Sequence, residues 1–195
     1  MFQSKKINLY KFIKLKYLFV VIIFFLTMEI FGKAKYLFVI FLLITINYIF
    51  GYGKHLLFRN IKIGRIALLR HLSNGIEFIT FSTVISSFHY GPLTGMTVGG
   101  LSILGTYISE KRISQFSLAT VPVYILLGFL SYFLSQKFVN IKITGILVSI
   151  IYNIIINFLL AVFYKVNVIK MLTFSIINII FNAYLFLNFS QLIIK

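Results

Sequence analysis

Seven stretches of the chain are apolar enough to form helices in a bilayer, and short polar or basic segments separate them. In chain order they are Tyr17–Gly32, Tyr36–Gly53, Leu72–Phe88, Pro92–Ser109, Phe116–Ser135, Ile141–Tyr164 and Met171–Ile194. A helix needs about 20 residues to cross a hydrocarbon core of about 30 Å. The last three stretches fit that length, whereas the first is short enough to lie partly in the interface. The pattern predicts an all-α, polytopic membrane bundle with six or seven transmembrane helices.

The composition supports a membrane protein. Of 195 residues, 60% are hydrophobic and only 11% are charged, whereas soluble domains average about 25% charged residues. A chain this apolar is expected to have the lipid bilayer as part of its solvent. Because no linker or internal repeat interrupts the pattern, we predict a single transmembrane domain over residues 1–195.

The basic residues predict the orientation. With a cytoplasmic N-terminus and seven spans, only five basic residues fall outside: Lys33, Lys35, Lys137, Lys142 and Lys195. All the others lie in cytoplasmic segments, as the positive-inside rule requires. We therefore predict a multi-pass protein of the cell membrane with a basic cytoplasmic N-terminus over residues 1–16. The same rule explains the net charge of +16, so no nucleic-acid partner is expected.

Residues 54–70 interleave basic and apolar positions, which is typical of an amphipathic helix on the inner leaflet. The same segment could instead dock a cytoplasmic partner.

The chain offers few groups for catalysis. It has no cysteine, no phosphate-binding loop, and only three histidines and three carboxylates, which lie far apart: His55, His71, His89, Glu29, Glu77 and Glu110. We expect no enzymatic activity, no cofactor and no metal site.

A ladder of small residues marks the fourth stretch. Gly91, Gly95 and Gly99 are followed by Ser102 and Thr106, so one helix face is small along its length. Such faces let helix backbones approach closely in membranes. We predict a helix interface at the three glycines, either within the chain or against another subunit.

His89 and Tyr90 connect the third and fourth stretches at the predicted outer face. We predict that they contact a substrate at the mouth of an outward cavity. The alternative is that they anchor the chain in the interface, as tyrosine commonly does.

Glu77 lies about five residues into the third stretch, where a carboxylate must face protein or water. One interpretation is a buried ion pair with Lys62, Arg70 or His71. The other is a coupling or proton-handling site.

Asparagines occur in i,i+4 pairs near the middle of the last two stretches: Asn153 with Asn157, and Asn178 with Asn182. Amides in hydrocarbon need partners, so the two faces are expected to meet. Alternatively they point into a polar pocket, with Asn153 and Asn182 as substrate-binding residues.

The run "IEFITFSTVISSFHYGPLTGMTVGGLSILGTYI", followed by "VPVYILLGFLSYFLS" and two helices with asparagines, resembles the S component of energy-coupling factor (ECF) transporters. It is also similar to the related MreD-like membrane proteins. The resemblance covers about residues 72–195 and rests on glycines and apolar positions.

The S-component resemblance implies a subunit that captures a vitamin or metal ion from outside. It also implies a membrane T subunit and two ATPases as partners. The MreD-like alternative implies a scaffold without transport, which binds cytoskeletal or envelope proteins of the cell-shape or division machinery.

Overall fold

The computed structural model describes residues 34–59, 75–111, 113 and 115–193. The basic N-terminus 1–16, the stretch Tyr17–Gly32 and residues 60–70 of the basic segment lie outside these ranges. The chain divides into two compact units, Met1–Phe41 and Leu42–Lys195. All contacts reported below lie within the second unit.

The described residues form helices and no strands. We label the six helices α1 to α6 in chain order: Ala34–Arg59, Ile79–Tyr90, Pro92–Glu110, Gln115–Lys137, Ile141–Tyr164 and Val168–Ile193. Within these ranges four segments are long and apolar enough to cross a bilayer: Leu37–Leu57, Ala119–Lys137, Ile141–Tyr164 and Val168–Ser190. The prediction of an all-α, multi-pass membrane protein is thereby confirmed.

The third predicted stretch differs from its helix. Sequence pattern predicts Leu72–Phe88, whereas α2 begins only at Ile79 and is 12 residues long. Residues 75–78 are not helical, and the Gly75 carbonyl accepts a hydrogen bond from Asn178 of α6. A contact to a distant helix therefore takes the place of the first helical turn.

Local chemistry fixes the other helix ends. Gly91 has a φ of 91°, a conformation that glycine adopts at little cost, and Pro92 then occupies the first turn of α3. The Asn140 side chain accepts a bond from the Lys142 amide at 2.9 Å and caps α5. These short connections make neighbouring helices antiparallel.

Helix α2 lies in the middle of the bundle. Its residues from Ile79 to Ser87 are all buried, and it packs against α3, α4, α5 and α6. The hydrophobic core forms around it and includes Val84, Ile85 and Leu127. Ile49, Phe158 and Ile180 are among the large apolar side chains that remain exposed. Such exposed apolar side chains are the lipid-facing surface of a membrane bundle.

Two of the three ladder glycines pack inside the chain. Gly95 lies against Ser87 of α2, and a Cβ on Gly99 would lie 2.7 Å from the Tyr124 carbonyl of α4. In the other direction, a Cβ on Gly128 of α4 would collide with the backbone of Gly95 and Met96. Gly91 makes the turn instead, and no described atom lies within 4 Å of its Cβ position.

Candidate functional site

Glu77 is buried just before α2, with 7% of its surface exposed. Its Oε1 atom accepts hydrogen bonds from the Tyr124 hydroxyl of α4 and from Asn178 Nδ2 of α6 at 3.2 Å. The partners predicted for it, Lys62, Arg70 and His71, lie outside the described residues. The carboxylate therefore faces other side chains of the bundle.

The Glu77 carboxylate lies deep in the bundle. Asn178 is ten residues from the start of α6 at Val168, which corresponds to about 15 Å along the helix and to about half of a 30 Å hydrocarbon core. Helix α2 itself has 12 residues, or about 18 Å, and is therefore too short to cross such a core alone. Non-helical backbone is tolerated within the hydrocarbon core only where it is buried in protein or lines a cavity.

Asn178 uses all of its hydrogen-bonding capacity. Nδ2 donates to the carbonyl of Gly75 at 3.1 Å and to Glu77. Oδ1 accepts from Nδ2 of Asn153 at 2.8 Å and of Asn182 at 3.3 Å. An amide has two donors and two acceptor positions, so Asn178 is saturated and ties together α5, α6 and the segment before α2.

Asn153 and Asn182 form hydrogen bonds through their amide NH2 groups, whereas their amide oxygens accept none from the described residues. Besides Asn178, the Asn153 amide donates to the Ser149 carbonyl and the Asn182 amide to the Asn178 carbonyl. Their Oδ1 atoms are buried and have no partner among the described residues. Asn157 donates to the Ser175 hydroxyl at 2.7 Å, and its Oδ1 is unpartnered in the same way. The predicted meeting of the two asparagine faces is confirmed.

Aromatic rings enclose this cluster. Tyr124 and Tyr152 have ring centroids 4.8 Å apart, and both are almost fully buried. Phe81 and Phe186 form a second ring pair, with centroids 5.1 Å apart. They follow Glu77 and Asn182 by four residues each, so this pair lies on the side of the cluster that faces His89. The rings therefore separate the amides from that end of the bundle.

A buried ion pair lies at the opposite end of the bundle. Lys54 Nζ is 3.1 Å from a Glu110 carboxylate oxygen and donates to the Ile76 carbonyl at 3.3 Å. Because Ile76 precedes Glu77, one lysine links α1, α3 and the segment before α2. Lys54, the first residue of the predicted amphipathic segment, is thus directed into the bundle.

A second polar contact joins α1, α2 and α3. Asn47 Nδ2 donates to the Leu43 carbonyl, and to the hydroxyls of Ser82 and Ser102 at 3.0 and 3.2 Å. Asn47 Oδ1 and the Ser86 hydroxyl are buried without a partner in the described part of the chain.

His89 and Tyr90 lie at the far end of α2 and are exposed. Twelve residues separate His89 from Glu77, or about 18 Å along a helix. The structure does not bring these two side chains together with the asparagines.

Sequence reasoning missed several members of the cluster, namely Tyr124, Tyr152, Asn47 and Lys54. A tyrosine in mid-helix, away from both interfaces, is a signal that could have identified the first two, because a buried hydroxyl requires a partner.

The described residues bring no three His, Asp, Glu or Cys side chains together as a metal site would require. The groups that the cluster around Glu77 can present to a ligand are therefore amides, hydroxyls and one carboxylate. Such groups can bind a small polar ligand by hydrogen bonds in an otherwise apolar pocket. In comparisons with known proteins, no family model, no curated protein and no solved structure matches this chain.

Proposed function

We propose that this chain is the substrate-capture membrane subunit of an ECF-type transporter. In this proposal it binds a small solute of the vitamin or metal-ion class from outside and depends on partner ATPases for energy. The resemblance of residues 72–195 to S components motivates the proposal, and the all-helical membrane bundle is compatible with it.

The observation that carries the proposal is that the amide oxygens of Asn153 and Asn182 are buried and accept no hydrogen bond from the described residues. A buried polar atom without a partner costs about 1–3 kcal/mol. A cluster that served only to hold helices together would gain by satisfying these atoms. Two acceptors beside the saturated Asn178 are instead ready to receive N–H or O–H donors from a solute.

The proposed route of the solute starts at His89 and Tyr90, at the predicted outer end of α2. The contact between Phe81 and Phe186 closes that route in the described arrangement, so entry requires the two rings to part. The solute then donates to the amide oxygens, and Glu77 supplies a carboxylate next to them.

Thermal unfolding of the detergent-purified protein in the presence of vitamins and divalent metal ions tests this proposal. A solute at 100 times its Kd stabilises the native state by about 2.7 kcal/mol. We expect one solute class to raise the Tm. Asn153→Ala and Asn182→Ala should abolish that rise.

Asn188→Ala is the matched control for these variants. Asn188 lies on α6, is exposed and, among the described residues, donates only to the Tyr184 carbonyl one turn before it. This variant should respond to solute like the unmodified protein. If no solute raises the Tm and the protein instead captures a cytoskeletal protein, the MreD-like scaffold is the correct function.

We also propose six or seven spans with the N-terminus inside. The chain has no cysteine, so a single Lys195→Cys variant reports the side of the C-terminus. Labelling by a membrane-impermeant maleimide in intact cells is expected for seven spans. Labelling only after permeabilisation would show that the chain crosses the membrane an even number of times.

A further inference from the structure

An open apolar groove of about 510 Å³ runs between α4 and α5 on the outside of the bundle. Pro122 and Leu126 line it on α4, and Leu159 and Phe163 line it on α5. Leu126 is 45% exposed, so the groove opens outward from the bundle. A proline inside a helix removes one backbone hydrogen bond and disturbs regular packing, which accounts for a gap at this position.

The groove lies toward one end of the bundle. It covers the first part of α4 and the last part of α5, which meet at the end of the bundle where Lys54 and Glu110 pair. Tyr164 lines the groove and is the last residue of α5. Lys165 follows directly and is exposed, and Lys170 is exposed in the first turn of α6.

These lysines lack acidic neighbours on the described surface. The whole chain has three acidic residues; of these, Glu77 and Glu110 are buried, and Glu29 lies outside the described residues. The negative charge that balances Lys165 and Lys170 is therefore expected to come from another molecule. In a membrane, anionic headgroups supply such charge at this depth.

We propose that the groove binds one anionic phospholipid, with an acyl chain between α4 and α5 and the phosphate on Lys165 and Lys170. The apolar lining matches a hydrocarbon chain, and the volume is typical of a small-molecule site. The cations lie at the end of the groove where a headgroup would be. The proposal is independent of the transport function.

The experiment uses the full chain in nanodiscs of equimolar dioleoyl-phosphatidylglycerol and dioleoyl-phosphatidylcholine. Lipids retained after mild detergent release are counted by native mass spectrometry. Each lysine near a membrane surface strengthens anionic-lipid binding about five-fold. We expect retained phosphatidylglycerol, and a loss of about five-fold in its preference for each of Lys165→Gly and Lys170→Gln. Glycine suits position 165 because its φ is 48°.

Two further variants separate the parts of the proposal. Lys142→Gln removes a half-buried lysine at the opposite end of α5 and should leave the preference unchanged. Leu126→Trp fills the groove and should lower retention of both lipids, with helicity and elution volume as folding controls.

Equal retention of the two lipids by the unmodified protein would overturn the proposal. It would also be overturned if Lys142→Gln lowered the preference for phosphatidylglycerol as much as Lys165→Gly or Lys170→Gln does. So would a cross-linked contact of α4 and α5 with a second protein chain in the same discs, because a helix would then occupy the groove.

Discussion

Replacing Asn178 by alanine tests whether one side chain holds the segment before α2 against α5 and α6. The substitution removes four hydrogen bonds, to Gly75, Glu77, Asn153 and Asn182. Three of these partners keep a second bond, whereas the Gly75 carbonyl keeps none that the described residues show.

The expected cost follows from these bonds. Polar bonds between membrane helices average about 0.6 kcal/mol and reach about 1.7 kcal/mol, and those to charged groups are stronger. Four bonds, one of them to a carboxylate, therefore give about 3 kcal/mol in the free energy of unfolding. Asn182→Ala removes two bonds, both between neutral groups, and should cost about 1 kcal/mol. Asn188→Ala should stay within about 0.5 kcal/mol, as exposed substitutions usually do.

The assay is reversible unfolding in mixed micelles at rising dodecyl sulfate fraction, followed by circular dichroism. A shifted midpoint at constant slope reports a change in stability alone. The expected order of destabilisation is Asn178→Ala, then Asn182→Ala, then Asn188→Ala. If Asn178→Ala and Asn188→Ala unfold at the same midpoint, the cluster does not stabilise the bundle and the reasoning is refuted.

Three further predictions use the same unfolding assay. Gly128→Ala should cost about 1–3 kcal/mol, because the new Cβ collides with backbone atoms. Gly53→Ala should be neutral or stabilising, because no described atom lies within 4 Å of its Cβ position. Equal changes in the unfolding midpoint for the two variants would contradict this. Lys54→Met should cost about 3–5 kcal/mol because it removes the cation that pairs with the buried Glu110 carboxylate. Adding Glu110→Leu should restore part of that loss, and additive losses would disprove the pairing. Gly91→Ala should cost about 1–3 kcal/mol through backbone strain alone, because φ 91° and ψ 173° form a conformation that is essentially restricted to glycine. An unchanged midpoint would show that the turn relaxes.

Most helix positions could be predicted because their causes are local. The boundaries of Ile141–Tyr164 and the start at Pro92 agree with the sequence pattern, since proline, glycine and polar residues interrupt the apolar stretches there. The late start of α2 at Ile79 could not be predicted in this way. Its cause is a bond from Asn178 to Gly75, across 103 residues of chain.

The candidate site was predictable in its residue types and not in its connections. The i,i+4 spacing of asparagines places each pair on one helix face, and the cost of burying amides predicts that the faces meet. Which asparagine becomes saturated depends on how α5 and α6 are aligned along their axes. Tyr124 lies in the middle of its apolar stretch, which indicates a buried hydroxyl, but the sequence does not identify Glu77 as its partner.

The short length of α2 links stability to the proposed binding. A helix of 12 residues is too short to cross the hydrocarbon core alone, so the backbone before it needs protein partners. Asn178 and Lys54 bond the carbonyls of Gly75 and Ile76. The same arrangement leaves acceptors on Asn153 and Asn182 without donors. Since an unpaired buried acceptor is costly, a solute that donates to both must stabilise the bundle. Binding and stability should therefore rise together in unmodified protein, whereas a purely structural cluster would give stability without any solute dependence.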